Sequence, residues 1–256
     1  MKKVFLMFFA LFITVSIAAA NETPASIHQK MLEKSYADKF TSLIIDKDIF
    51  SSQLPDGMNV KSKTFLSADR FREETTTKDK DGNTANIIMI FTSSDTYLSY
   101  STGENFYSLG TSFMDKISSG LKNIDPFSAG AKLLETTEKI AGKQCFVIED
   151  TIEGFNSIFY IDKKNFLLLK SITKNNEMEV VTELSDYKKT DKFMAPHTTK
   201  VTIKQTGNDK EMISTIKITS LEFNPNINET LFAPKNVIAF PDIPGMDMKS
   251  LFDSLF

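Results

Sequence analysis

The chain reads as a mainly β protein built on an antiparallel sheet, and three observations say so. Phe155 to Ile172, FNSIFYIDKKNFLLLKSI, places two β-branched and aromatic runs on either side of the polar break Asp162, Lys163, Lys164, Asn165, the pattern of strand, turn and strand. Between Glu177 and Leu184, the residues Met178, Val180, Thr182 and Leu184 alternate with Glu177, Glu179, Val181 and Glu183, and Lys200 to Gln205 repeats that period with Val201 and Ile203. Strands do not alternate with regular helices, as a parallel sheet would require, and no segment recurs at a fixed solenoid period. Such a sheet has an oily face that something must cover.

Taken in order, residues 1–20 read as a cleaved export leader. Lys2 and Lys3 give a basic start, Val4 to Ile17 is almost wholly apolar, and Ala18, Ala19 and Ala20 supply the small residues for cleavage after Ala20. The apolar run is short for a membrane span, which needs about twenty residues, and no cysteine stands at the cleavage point for lipidation. A periplasmic location in a bacterial envelope is expected, with the domain over 21–236 and an apolar tail over 237–256.

Thr23 and Pro24 suit a helix N-cap and first turn, with Ile27, Met31 and Tyr36 following at helical spacing. Phe40 to Ile45 could extend that helix, but the β-branched pair Ile44 and Ile45 favours a first strand. Val60 to Leu66, Arg70 to Thr76, Ile87 to Phe91 and Tyr97 to Ser101 then read as strands separated by polar breaks, a meander. Ser112 to Thr136 interrupts it: Phe113, Ile117 and Leu121 recur every fourth residue, and after Pro126 come Leu133 and Leu134. Two short helical pieces are expected there. An insertion of this kind cannot pair in the ladder, so it belongs across the oily face, as a moving lid or a permanent plug. At the end of the chain, Met248, Leu251, Phe252, Leu255 and Phe256 share one helical face, though Pro241, Pro244 and Gly245 just before them equally suit an irregular end.

Composition narrows the function. The 256-residue chain carries 30 basic against 33 acidic residues, a net charge of −3, with no concentrated basic patch, so nucleic acid is excluded as a partner. The one cysteine, Cys145, cannot form an internal disulfide and reads as an inert buried thiol. With 22 Phe and no long linker, a single core is expected. His28 and His197 are the only histidines, and there is no H-E-x-x-H, Cys/His cluster, nucleophile elbow or phosphate loop. Asp79, Asp81 and Gly82 lack the distal ligand of a calcium loop and read as a hairpin turn. The expectation is a binding protein rather than an enzyme, with no cofactor and no metal site.

Four local patterns, in order, then resemble one family. They are Arg70, Phe71, Arg72, Glu73; Gly142, Lys143, Gln144, Cys145, Phe146, Val147, Ile148; Tyr160, Ile161, Asp162, Lys163 with the apolar run to Lys170; and Asn224, Pro225, Asn226, Ile227 ending at Leu231 and Phe232. Together they span nearly all of the mature chain and resemble the LolA-like outer-membrane lipoprotein-sorting proteins, the superfamily of the periplasmic lipoprotein carrier. The resemblance implies an unclosed, strongly curved antiparallel β-barrel whose concave face is covered by short helices and binds acyl chains. It implies a carrier of lipoprotein acyl chains or another lipid, acting as a monomer between an inner-membrane release complex and an outer-membrane receptor. In that groove the candidate lining residues are Phe159, Ile161, Val180, Leu184, Val201, Ile203, Ile216 and Ile218, with Phe113, Met114, Ile117 and Leu121 as the lid. The classical carrier keeps a latch arginine shortly before the Phe of its early strand. Ser67 stands at that place here, with Arg70 and Arg72 displaced. Two other roles fit the same fold: a lipid-responsive envelope sensor acting through a protein partner, and a structural envelope domain with no ligand.

Overall fold

A computed structural model of the chain describes residues 22–35, 40–67, 69–100, 105–110, 112, 114, 127–152, 154–191, 193–207 and 210–239. The expected leader, the lid residues Phe113, Ile117 and Leu121, and the tail from 240 onward lie outside the described residues. One helix, α1 (Pro24–Lys34), precedes the sheet. Thr23 and Ser26 close its first turn reciprocally: the Ser26 N–H donates to Thr23 Oγ1 at 3.1 Å and the Thr23 N–H to Ser26 Oγ at 2.8 Å.

Fourteen strands follow in a single unclosed sheet. The first six are β1 (Ser42–Ser51), β2 (Asn59–Ser67), β3 (Arg70–Lys78), β4 (Thr84–Phe91), β5 (Thr96–Tyr100) and β6 (Phe106–Ser108). Then come β7 (Lys132–Ile140), β8 (Lys143–Ile152), β9 (Phe155–Asp162), β10 (Leu168–Lys174), β11 (Met178–Thr190), β12 (Phe193–Gln205), β13 (Met212–Phe223) and β14 (Val237–Ala239). Spatially they run β14-β6-β5-β4-β3-β2-β1-β13-β12-β11-β10-β9-β8-β7. Two meanders thus meet where β13 pairs with β1, and only β14 pairs in parallel, with β6.

This order has a topological consequence. The chain leaves β6 beside one edge and re-enters at β7 on the other edge, and the described residues near the two ends of that connection both pack on one face of the sheet. Met114 packs with Leu43, Leu66, Phe91, Ala195 and Leu221, and Phe127 packs with Ile27, Ile148, Phe159 and Ile161. The first of these clusters joins residues of β4 and β12, five strand spacings apart, roughly 24 Å in a flat sheet. Neighbouring strands link it step by step along one side of an open, curved sheet.

Residues directly opposite in an antiparallel pair point to the same side, and alternate residues along a strand do too. Following the register from Phe159 to Ser171, Thr182 and Val201, then from Thr199 to Ile216, Ile49 and Val60, traces one face across the sheet. Leu43, Leu66, Phe71 and Phe91 continue it on the other meander. That face carries α1, Met114 and Phe127, and it is the concave one.

One expectation needs correction. Leu133 and Leu134 do not form a second helical piece after Pro126; they lie in β7. Neighbours on a strand point to opposite faces, and here both faces are oily: Leu133 packs against the α1 cluster and Leu134 against Cys145, Val147 and Tyr160 on the convex side. A pair of leucines buried on both sides of a strand carries no period, so it reads equally as part of a helix. The strand alternative at Ser42 to Ser51 holds, as do the early meander and the hairpin turns.

The convex face is capped at one end only by chain from beyond β13. Asn228 caps the 3-10 turn Glu229–Phe232, which brings Ile227 and Phe232 onto Phe65, Ile90 and Phe106. Arg72, its side chain 12 % exposed, donates to the Leu231 carbonyl at 2.7 Å and to Glu74, and Arg70 pairs with Glu229. Asn224 has φ of 54° and accepts from the Thr41 N–H at 2.7 Å, which fixes the turn out of β13.

Candidate functional site

All eight candidate lining residues stand on the concave face, but in two different settings. Phe159 and Ile161 are 8 % and 0 % exposed and packed against Ile27 of α1, Phe127 and Ile148. Phe127 meets Phe159 edge to face with ring centroids 5.2 Å apart, and Lys30 of α1 sits 4.8 Å over the Phe166 ring. The amphipathic pattern of α1 explains this: Ile27 and Met31 lie one turn apart on the face that meets the sheet.

Val180, Leu184, Val201, Ile203 and Ile216 are half-buried. Direct cross-strand pairs join Val180 to Ile203, and Met178 and Met212 stand at the same end of β11 and β13. Ile218 stands between the two settings, packed at the border of the Met114 cluster. A half-buried floor in which these aliphatic residues alternate with Thr182, Thr199 and Ser214 thus extends across β11, β12 and β13 next to a closed core under α1. Of the four lid candidates Met114 is described, 3 % exposed and held in the cluster on β1 to β4, β12 and β13.

The latch question has a geometric answer. Arg70 and Arg72 alternate with Phe71 and so point to the convex side, where they hold the exit past β13. Ser67 ends β2 opposite Arg70.

Sequence reasoning missed a polar group set into the concave face. Lys47 interrupts the series Leu43, Ile45, Ile49 on β1, and Ser62 and Thr64 stand beside it on β2. The Lys47 ammonium lies 3.0 Å from Glu73 Oε1, the two side chains being 19 % and 17 % exposed, and Ser62 donates to the same oxygen at 2.6 Å. Thr64 Oγ1 is buried with no hydrogen-bond partner among the described residues. On the far side of Ile218, His197 is 8 % exposed; its Nδ1 lies 3.1 Å from the Ile218 carbonyl, and its Nε2 has no partner among the described residues. A signal was available: in SLIIDKDIFS the face Leu43, Ile45, Lys47, Ile49 is apolar except at Lys47.

Other titrating groups point to structure rather than reaction. Burial pushes the Cys145 thiol up, away from a reactive thiolate. Asp79 accepts from Asp81, Asn83 and the Asn83 amide, and the Asn83 side chain above all holds its carboxyl below the usual range. That is a hairpin turn. Among the described residues, no three of His, Cys, Asp and Glu gather as metal ligands, and no helix is long and apolar enough to cross a membrane.

Comparison with known proteins bears on the fold. No protein-family model matches the sequence, and no curated protein matches it. A solved DUF1329 family protein from Desulfovibrio piger aligns with 81 % of this chain and 96 % of its own at 11 % identity, with a TM-score of 0.52. The chain shares the overall fold of that protein, an open, mostly antiparallel curved sheet. Among the described residues its marks are the unclosed sheet and the face covered by α1. A LolA superfamily protein from Nitrosomonas europaea aligns with 83 % of this chain and 98 % of its own at 10 % identity, with a TM-score of 0.49. At such identities the likeness speaks of the fold alone.

Proposed function

We propose that this LolA-like chain is an exported, periplasmic lipid carrier that holds acyl chains against the concave floor of β11, β12 and β13 and takes part in lipoprotein sorting to the outer membrane. The observation that carries this reading is the half-buried apolar stretch Val180, Leu184, Val201, Ile203 and Ile216, lying beside a core that is already closed under α1. An acyl chain laid on that floor leaves water at about 0.8 kcal/mol per buried methylene. A bare apolar surface of several hundred Å² would favour aggregation, so a carrier needs its floor covered between cargoes. The crossing segment that includes Met114 is the candidate cover, with Phe113, Ile117 and Leu121 as its proposed lid residues. Phe159 and Ile161 serve this reading as the wall under α1, and Ile218 as the border.

The test is native mass spectrometry with lipid extraction on protein taken gently from the periplasm of its own host, joined to titration with a fluorescent fatty acid. Co-purified lipid, and fatty-acid uptake that Val201→Asp abolishes, is the expected result. A clean apo mass with no uptake would overturn the reading and favour a closed structural domain. Transfer of bound lipid between donor and acceptor vesicles then separates a carrier from a sensor, which would bind lipid and move none.

A further inference from the structure

We infer that the concave face grips an oxygen-bearing lipid head as well as a chain: Lys47, Thr64 and His197 form a polar row that takes the ester and hydroxyl groups of an acylated glycerol. This rests on the lipid-binding reading above and deepens it.

The row is continuous across the sheet. His197 on β12 bonds the Ile218 backbone, Ile218 is paired with Lys47 on β1, Lys47 with Ser62 on β2, and the next concave residue of β2, Thr64, with Glu73 on β3. It lies between the apolar end residues Ile49 and Ile216 and the buried Leu43, Leu66 and Phe91. A bare hydrocarbon laid over it would strip water from the charged pair and leave the two buried polar atoms, Thr64 Oγ1 and His197 Nε2, still without a hydrogen bond.

The donor and acceptor inventory selects the ligand. The Ile218 carbonyl can only accept, so His197 Nδ1 carries the proton, and in the neutral ring Nε2 is an acceptor needing a donor. The Lys47 ammonium has N–H groups beyond the one aimed at Glu73, and the Thr64 hydroxyl is free to donate. Lys47 is neutralised by Glu73, so the row carries no net charge to hold an anion. A fatty-acid carboxylate offers acceptors only and a hydrocarbon offers neither. A glycerol ester with a free hydroxyl offers both.

The test displaces a fluorescent hydrophobic dye from the leaderless protein with monolauroylglycerol and with n-dodecane, the same chain without oxygens. The wild type should bind the glycerol ester roughly tenfold or more tightly than the hydrocarbon after correction for transfer from water. Thr64→Val, which conserves volume, should narrow that ratio by several-fold, and Lys47→Met with Glu73→Leu, or His197→Phe, should bring it near unity while dodecane binding persists. Because the readout is a ratio within each variant, a shared loss of folded protein cancels, and Thr64→Val decides if the double variant does not fold. Equal ratios in wild type and variants would overturn the polar row and leave the carrier reading standing. Failure of both ligands to displace dye, with no dye uptake by the wild type, would overturn both.

Discussion

Ile161 and Val201 stand on the same face of the same sheet, three strands apart, and meet different surroundings. Ile161 is fully buried under α1 and Phe127, whereas Val201 is half-buried, opposite Thr182 and Ser214 and beside Ile203. The strand pattern is alike in both places; what differs is what comes to lie on it. Among the described residues, the sheet is closed where α1 and Phe127 dock on it and half-buried across β11 to β13.

The contrast breaks most sharply in paired substitutions. Ile161→Ala should cost about 3 kcal/mol in urea unfolding, because the site under α1 cannot collapse around the lost carbons. Val201→Ala should cost under about 1 kcal/mol and instead weaken fatty-acid binding. Equal costs at the two sites would mean that β11 to β13 are as closed as β8 to β10. On the convex side, Arg72→Ala should cost roughly 2 kcal/mol, since it leaves the Leu231 carbonyl and Glu74 without their donor. It should leave lipid uptake intact, as Arg72 faces away from the floor.

Acid should loosen the closed end first. Asp150 is 6 % exposed; burial pulls its carboxyl up, but hydrogen bonds from the Ser128 hydroxyl, the Ser128 N–H and the Thr151 N–H outweigh that and hold it below the usual carboxylate range. A depressed carboxyl contributes stability above its unfolded value, about 3.9, and loses that contribution as pH falls through its lower folded value. Asp150→Asn should therefore lower stability by about 1–2 kcal/mol at neutral pH and flatten the acid limb of the stability profile. The smallest effect is at the helix start: Thr23→Ala should cost about 1 kcal/mol through loss of the cap, read as a lower thermal midpoint. If α1 is what closes its end of the sheet, the same change should also speed hydrogen exchange at Ile148 and Ile161.

Much of this was legible in the chain itself. Thr23 and Pro24 mark the helix, the alternation around Val180, Val201 and Ile203 marks half-buried strands, and Asp79 to Gly82 marks a turn, because each is fixed by neighbours along the backbone. The two strand-versus-helix ambiguities separated for a physical reason. Ile44 and Ile45 carried β-branching that tipped them to strand, whereas Leu133 and Leu134 suit either state, and their conformation was set by β8 pairing beside them.

Sequence alone determined that the protein would build an antiparallel sheet, because period two is local and a strand residue's place in the alternation sets its face. Only the tertiary structure decided where the concave face is closed and where it is floor, since this depends on where α1 and Phe127 dock. It alone also drew Lys47, Ser62, Thr64, Glu73 and His197 into one row. Those five come from four strands and as much as 150 residues apart, and no local pattern ties residues that meet only through strand pairing.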